Sequence, residues 1–237
     1  MTTENQFEER AKRILTYLHK DVRHNNALLP RPFFLELTGS PSAGKTTTIT
    51  ELDKFFRRMG LRVLRPQEGA EVIRHIERDT PLYNLRTAMN ALTQLVDYAA
   101  GHLYDVVIFD RCIFDAPVWM MYWREKSKLT EEEMVRYQQY FLSRFWVDQI
   151  DLAMFMVCDP EKAMGRELKI ALSDKLGETT NPKTIKTLAD RYRAAFAQLK
   201  PNYPQLELLD TTDLDEKTMV ERVADLALAA IERRMST

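Results

Sequence analysis

The stretch Phe33-Phe34-Leu35-Glu36-Leu37-Thr38-Gly39-Ser40-Pro41-Ser42-Ala43-Gly44-Lys45-Thr46 decides how this chain is to be read. Its first six residues are a short, mostly apolar run of strand length. Two glycines then bracket a small loop, and a polar, helix-compatible stretch continues from Lys45 to Met59. The order is strand, loop, helix.

That context gives the GxxxxGKT spacing a physical use. Gly39 and Gly44 let backbone amides turn inward around phosphate oxygens, and the helix that starts near Lys45 offers its unsatisfied amides and positive dipole end. Lys45 is expected to reach the β- and γ-phosphates of a nucleoside triphosphate. The Thr46 hydroxyl is expected on Mg²⁺, with phosphate oxygens and water completing its shell. The phosphate-binding set is therefore Gly39, Ser40, Pro41, Ser42, Ala43, Gly44, Lys45, Thr46 and Thr47, where Thr47 and Thr48 otherwise extend the helix.

Working outward, periodic apolar residues Phe7, Ile14, Leu15, Leu18 and Val22 predict a helix from about Glu4 to Asn25, broken by Pro30 and Pro32. Gly60 suits a helix cap, and Arg62 to Pro66 reads as a second strand. A long helix is expected from about Asn84 to Ala100. Asp105-Val106-Val107-Ile108-Phe109-Asp110 has no polar face, as in a central parallel strand covered on both sides. Thr130 and Glu133 form a capping-box pair that opens one of the helices beyond it. Leu152 to Asp159 is the next buried strand. A helix carrying Arg166, a polar loop from about Ser173 to Asn181, a helix from Pro182 to Leu199, the strand Leu206 to Asp210 and a last helix from about Asp215 to Arg234 complete the chain. Strands alternating with helices predict an α/β, doubly wound parallel sheet.

The 237 residues are 45% hydrophobic, enough for one sizeable core. Thirty-four basic and 35 acidic residues leave a net charge of -1, so no global field draws the chain to nucleic acid or membrane. Cys112 and Cys158 lack metal-ligand spacing, and so few thiols fit a reducing compartment. No stretch reaches the roughly 18 apolar residues of a membrane span. The expectation is a cytoplasmic protein divided into an N-terminal helical extension, residues 1–29, and a phosphate-loop domain, residues 30–237.

A base-reading NKxD element, which GTPase-like switches need, occurs nowhere in the chain, and Asp110-Arg111 follows the third strand where such switches carry their second loop. On the phosphate loop, Asp110-Arg111 and the order of elements from Phe33 to Ile231, the chain resembles the P-loop kinases of nucleosides and nucleotides, the deoxynucleoside kinase and thymidylate kinase group. The resemblance implies a five-stranded parallel sheet with flanking helices, a short basic lid, ATP and Mg²⁺ as cofactors, and phosphoryl transfer to a hydroxyl or phosphate of a small-molecule acceptor. It implies that Glu68, just after the second strand, approaches the acceptor as general base. The alternative is that Glu68 caps the helix beginning near Ala70. It implies a magnesium site at Thr46 and Asp110, and an Arg111 fork on the acceptor or transferred phosphate. Asp115 either contacts the acceptor or caps the following helix.

Gln94, with Arg86 on the same helix, is the nearest candidate for reading a base edge. Arg166, followed by Lys169 and Lys175, resembles the start of the lid, with Arg166 on phosphate. The loop Ser173 to Asn181 departs from the family in having no arginine. Asp210-Thr211-Thr212 falls where such proteins place a loop beside the adenine. Trp119, Tyr122, Trp123, Tyr137, Tyr140, Phe141, Phe145 and Trp146 either pack the core or line an acceptor pocket. The N-terminal helix packs on the sheet or forms a contact surface for another chain, and a homodimer is compatible with either. Competing readings are a nucleotide sensor, an ATPase that drives a partner, and a kinase of an RNA end. Near-zero net charge argues against an extended nucleic-acid surface.

Overall fold

The computed structural model describes residues 6–16, 31–101, 103–170 and 181–235, with only the backbone of 167–170. Its centre is a five-stranded, all-parallel sheet in the order β2-β3-β1-β4-β5. The strands are β1 (Phe33–Gly39), β2 (Val63–Leu64), β3 (Val106–Asp110), β4 (Leu152–Val157) and β5 (Leu206–Asp210). β1 is the middle strand, with Leu35 level with Ile108 of β3 and Leu152 of β4. The second strand is shorter than the sequence suggests: beyond Leu64 the chain leaves β3 and turns toward the site.

Helix α1 covers residues 6–16, followed by α2 (Lys45–Arg58), α3 (Gly69–Val72), α4 (Pro81–Ala100), α5 (Asp115–Glu125), α6 (Glu131–Phe141), α7 (Arg144–Val147), α8 (Pro160–Ile170), α9 (Pro182–Leu199) and α10 (Glu216–Met235). α4 starts earlier than its apolar pattern, because Pro81 supplies a pre-set first helical residue. The capping box at Thr130 and Glu133 is present, and Asn181 caps α9 by accepting from the Thr184 amide. After α2, the Gly60 amide donates to the Arg57 carbonyl and that of Leu61 to Phe56, the Schellman pattern that a glycine at φ 89° permits.

Period-two alternation sorts β1 between two cores. Leu35 and Leu37 pack with Ile49, Leu52 and Phe56 of α2 and with Val223 and Ala227 of α10. Phe34 packs on the opposite face with Ala91 and Leu95 of α4, Val118 of α5 and Tyr192 of α9. Helices thus cover both faces, as a doubly wound sheet requires. α1 adds to the first layer. Ile14 is buried there, Phe7 meets Phe55 edge-on with ring centroids 6.4 Å apart, and Arg10 pairs with Glu232 at 2.9 Å and with Asp225. Leu18 and Val22, and the segment expected to form the lid, lie outside the described residues. No helix among the described residues is long and apolar enough to cross a membrane.

The last residue of β1 sets where the chain leaves the sheet. A Cβ at Gly39, whose φ is 145°, would stand 1.8 Å from the Met156 carbonyl oxygen of β4. Gly39→Ala is expected to cost at least ~3 kcal/mol, combining overlap with backbone strain. Chemical denaturation measures it, and wild-type stability in that variant would contradict the close approach.

Candidate active site

The carboxyl ends of the five strands share one edge of the sheet, and the phosphate loop rises from its middle. Ser40 donates its amide to Met156 O (2.9 Å) and its hydroxyl accepts from the Cys158 amide (3.3 Å), so β4 holds the loop's base. Ser42 and Gly44 take left-handed backbone at φ 55° and 91°. α2 begins at Lys45 with no acidic residue in its first turn and no side-chain cap. Its N-terminal amides and positive dipole end are therefore not capped by a carboxylate of the helix's own first turn, which suits an anion. Lys45 is buried, and its Nζ donates to the carbonyls of Gly39 (3.2 Å) and Ser40 (2.8 Å). Burial, reinforced by the Arg111 charge, lowers its pKa to about 8.

Thr46 is exposed beside the loop, and its Oγ1 lies 3.4 Å from Asp110 Oδ2 at the end of β3. A hydroxyl and a carboxylate at this separation fit Mg²⁺, which takes few protein oxygens and fills its octahedron with phosphate and water. No three His, Cys, Asp or Glu residues among the described residues gather into a denser metal cluster.

Next to this pair, Arg111 leaves the sheet with φ 64° and sends its fork into a group of acids. Its Nε is 3.3 Å from Glu68 Oε1 and its Nη1 is 3.0 Å from Asp115 Oδ1 and 3.1 Å from the Tyr192 hydroxyl. Burial opposes the Arg111 charge, but Asp115, Tyr192, Glu68 and Asp110 outweigh it, and the net shift is upward. Glu68 occupies the N-cap position of α3 without making a side-chain cap bond, so its carboxylate is turned to Arg111 instead. Burial raises the Glu68 pKa against the lowering effect of Arg111. Asp115 opens α5 and is nearly buried, accepting from the Thr38 and Tyr192 hydroxyls as well as from Arg111.

These groups form one end of a cleft of about 450 Å³, within the range of small-molecule sites. Gly39 and Pro41 lie at the phosphate end. Glu68, Asp110, Arg111 and Asp115 follow, and Trp119, Tyr122 and Trp123 line the far wall. The aromatic residues after β3 therefore serve both readings: Phe141 of α6 is in the core, these three rings of α5 line the cleft, and Phe145 of α7 is 81% exposed. α4 closes the side with Tyr83, Asn84, Thr87, Ala88 and Ala91. This corrects the expectation for Arg86 and Gln94. Both are half-buried away from that lining, and the amide turned to the cleft region is Asn84, which accepts from Trp123 Nε1 at 2.8 Å. The buried Tyr83 hydroxyl has no hydrogen-bond partner among the described residues.

Arg166 also differs from expectation. Its Nη2 donates to the carbonyls of Thr211 (2.7 Å) and Leu214 (3.3 Å), and its Nη1 to Ser42 O (3.4 Å) and Thr211 Oγ1 (3.2 Å). The fork braces the phosphate loop against the chain after β5, leaving few donors for a phosphate. Thr211 completes this brace through Ala43 O at 3.1 Å, while Asp210 takes the Thr212 amide and pairs with Arg193 at 2.8 Å. The Lys169 side chain and Lys175 lie outside what is described.

Sequence reasoning missed Thr38, Tyr192 and Glu36. The first two hold Asp115. Glu36 is fully buried in β1 and accepts from the amides of Cys112 (2.9 Å), Phe114 (3.1 Å) and Asp115 (3.1 Å). A carboxylate inside an otherwise apolar central strand was the available signal.

Solved structures of deoxyadenosine kinase from M. mycoides have the same fold. The form with bound dCTP is 17% identical, with a TM-score of 0.55 over 81% of this chain and 97% of that chain. The form with products dCMP and a flexible dCDP gives 0.56 at 17% identity over the same shares, and the form with bound dATP gives 0.54 at 18% over 81% and 98%. The search of curated proteins gives no match. The family model described as AAA domain matches residues 35–198, the span from β1 into α9 that carries the loop, Glu68, Asp110, Arg111 and the aromatic wall, and the chain belongs to that family.

Proposed function

We propose that this protein transfers the γ-phosphoryl group of ATP to a hydroxyl or phosphate of a small-molecule acceptor, a nucleoside or nucleotide. The observation that carries the reading is the single cleft that runs from the phosphate loop past Glu68 and Arg111 to the Trp119-Tyr122-Trp123 wall. Donor phosphate and an aromatic-walled acceptor site meet at one carboxylate and one guanidinium. The deoxyadenosine kinases of the same fold, whose structures hold dATP, dCTP and dCMP, support the substrate class.

In this scheme the loop amides and Lys45 hold the β- and γ-phosphates. Thr46 and Asp110 would hold magnesium, which neutralises charge on the phosphate oxygens when bound. Glu68 accepts the proton of the attacking hydroxyl. Its upward pKa shift brings it nearer to neutrality, where a base works best. Arg111 gives up the Glu68 contact as the acceptor enters and donates to the transferring group. Arg166 acts on the phosphates indirectly, by fixing the loop. Residues 1–29 are assigned to an extension and 30–237 to the phosphotransfer domain. The two free, buried thiols are consistent with a cytoplasmic setting.

The direct test is labelled γ-phosphoryl transfer from ATP and Mg²⁺ to nucleosides and nucleoside monophosphates, with hydrolysis measured without acceptor. A labelled acceptor is expected. Tight ATP binding with hydrolysis that no acceptor stimulates would instead identify a sensor or ATPase.

Two variants separate binding from chemistry. Lys45→Ala is expected to weaken nucleotide affinity and transfer together, whereas Glu68→Gln should lower kcat by about 10²–10⁴-fold with nucleotide Kd held within about twofold. Full transfer by Glu68→Gln would remove Glu68 from the role of base.

Lys45 also gives a pH signature. Its pKa of about 8 in the unliganded protein must rise when phosphates neutralise the site, so the protonated form binds more tightly. Nucleotide affinity should be flat below pH 8 and fall by up to about tenfold per unit above it. Lys45→Arg, charged throughout, should abolish the slope, and calorimetry across pH 7–10 distinguishes the two.

A further inference from the structure

Glu36 is a buried charge-bearing residue that the proposed chemistry does not use. It lies in the middle of β1, opposite Phe109 of β3 and Ala153 of β4, with no exposure to solvent. Burying a carboxyl there is unfavourable unless hydrogen bonds compensate, and an apolar residue would pack the same face without that penalty. Burial, reinforced by the nearby Asp115 charge, outweighs the lowering effect of the Phe114, Cys112 and Asp115 amides and leaves its pKa raised to about 8.

What Glu36 holds is the turn between β3 and α5. Oε1 accepts from the Cys112 and Asp115 amides and Oε2 from the Phe114 amide. α5 has no side-chain cap from its own N-cap residue, Phe114, so Glu36 satisfies these amides from across the sheet. Arg111 is the first residue of the turn, in left-handed backbone that an arginine rarely adopts. Its amide is fixed by Leu37 O at 2.9 Å. Strand alternation puts Thr38 on the same face as Glu36, and Thr38 donates to Asp115 Oδ1, the atom that also receives Arg111 Nη1. Three successive residues of β1 therefore grip one turn, and the turn carries the guanidinium.

We propose that Glu36 is a positioning residue: it holds the 111–115 turn and thereby aims Arg111 between Glu68 and Asp115 into the cleft. This rests on the proposed role of Arg111 in phosphoryl transfer. A displacement of ~1 Å in such a group costs on the order of a hundredfold in rate.

Glu36→Gln keeps the size of the side chain and replaces one acceptor by a donor facing an amide. The expected result is a kcat at least about tenfold lower, with nucleotide Kd within about twofold. In an Arg111→Ala background the same change should alter transfer by less than about twofold, because its effect passes through Arg111. A kcat for Glu36→Gln within twofold of wild type, or an effect that multiplies fully with Arg111→Ala, overturns the proposal. A purely structural role would lower Tm without this non-additivity. Should Glu36→Gln not fold, Glu36→Asp, which retains a carboxylate, enters the same cycle.

A second readout is independent of activity. The Arg111 Nε–Hε resonance, assigned by its loss in Arg111→Ala, should be sharp and slow to exchange in wild type and broadened in the Glu36 variant. An unchanged resonance also overturns the positioning role. If wild-type protein transfers phosphate to no acceptor, the kinase reading fails, and this resonance still decides whether Glu36 orders Arg111.

Discussion

The passage of Gly39 beside the Met156 carbonyl is the constraint on which the site is built. Parallel pairing of β1 with both β3 and β4 brings the ends of three strands to one edge, and the chain can leave the middle strand there only where no side chain intervenes. The Ser40 amide then bonds to that same Met156 carbonyl, and α2 starts five residues later with its amide end at the edge of the sheet. The loop position follows from sheet geometry, in keeping with the general rule that ligands bind beyond the carboxyl ends of parallel strands.

Around this loop the protein concentrates opposed charges that are individually unfavourable to bury. Lys45, Arg111, Glu68 and Asp115 lie close enough that each alters the environment of the others. The buried pairs contribute less to net stability than to geometry, since replacing matched charges by apolar groups is often neutral or favourable. Retaining them gives fixed donors and acceptors along one partly buried cleft. Tyr192, itself buried and pushed to a high pKa by desolvation and by Asp115, stays a neutral donor in this network.

The brace formed by Arg166 illustrates how one residue type suits two different tasks. An arginine in the helix after β4 is equally suited to phosphate oxygens and to backbone carbonyls, since its planar fork donates to either. Three carbonyl groups, from Ser42, Thr211 and Leu214, converge on it here. Gln94 fails for a different reason. Helical periodicity identifies which residues share a face, but which face turns to the cleft depends on how α4 rolls against Phe34, Val107 and α5.

Local signals in the sequence were sufficient for the strand-loop-helix unit, the alternation of strands with helices, the capping box at Thr130 and the phosphate loop itself, because each depends on neighbours within a few residues. Glu68, Asp110 and Arg111, which lie at or just beyond strand ends, were singled out by the resemblance to nucleoside and nucleotide kinases, which also anticipated that Thr46 and Asp110 share one site. The pairing order of the strands needed the tertiary structure. So did the burial of Glu36 against the 112–115 amides and the closing of the cleft by Tyr83 and Asn84. These contacts join segments that are remote in sequence, and no local propensity encodes which remote partner a buried polar group will find.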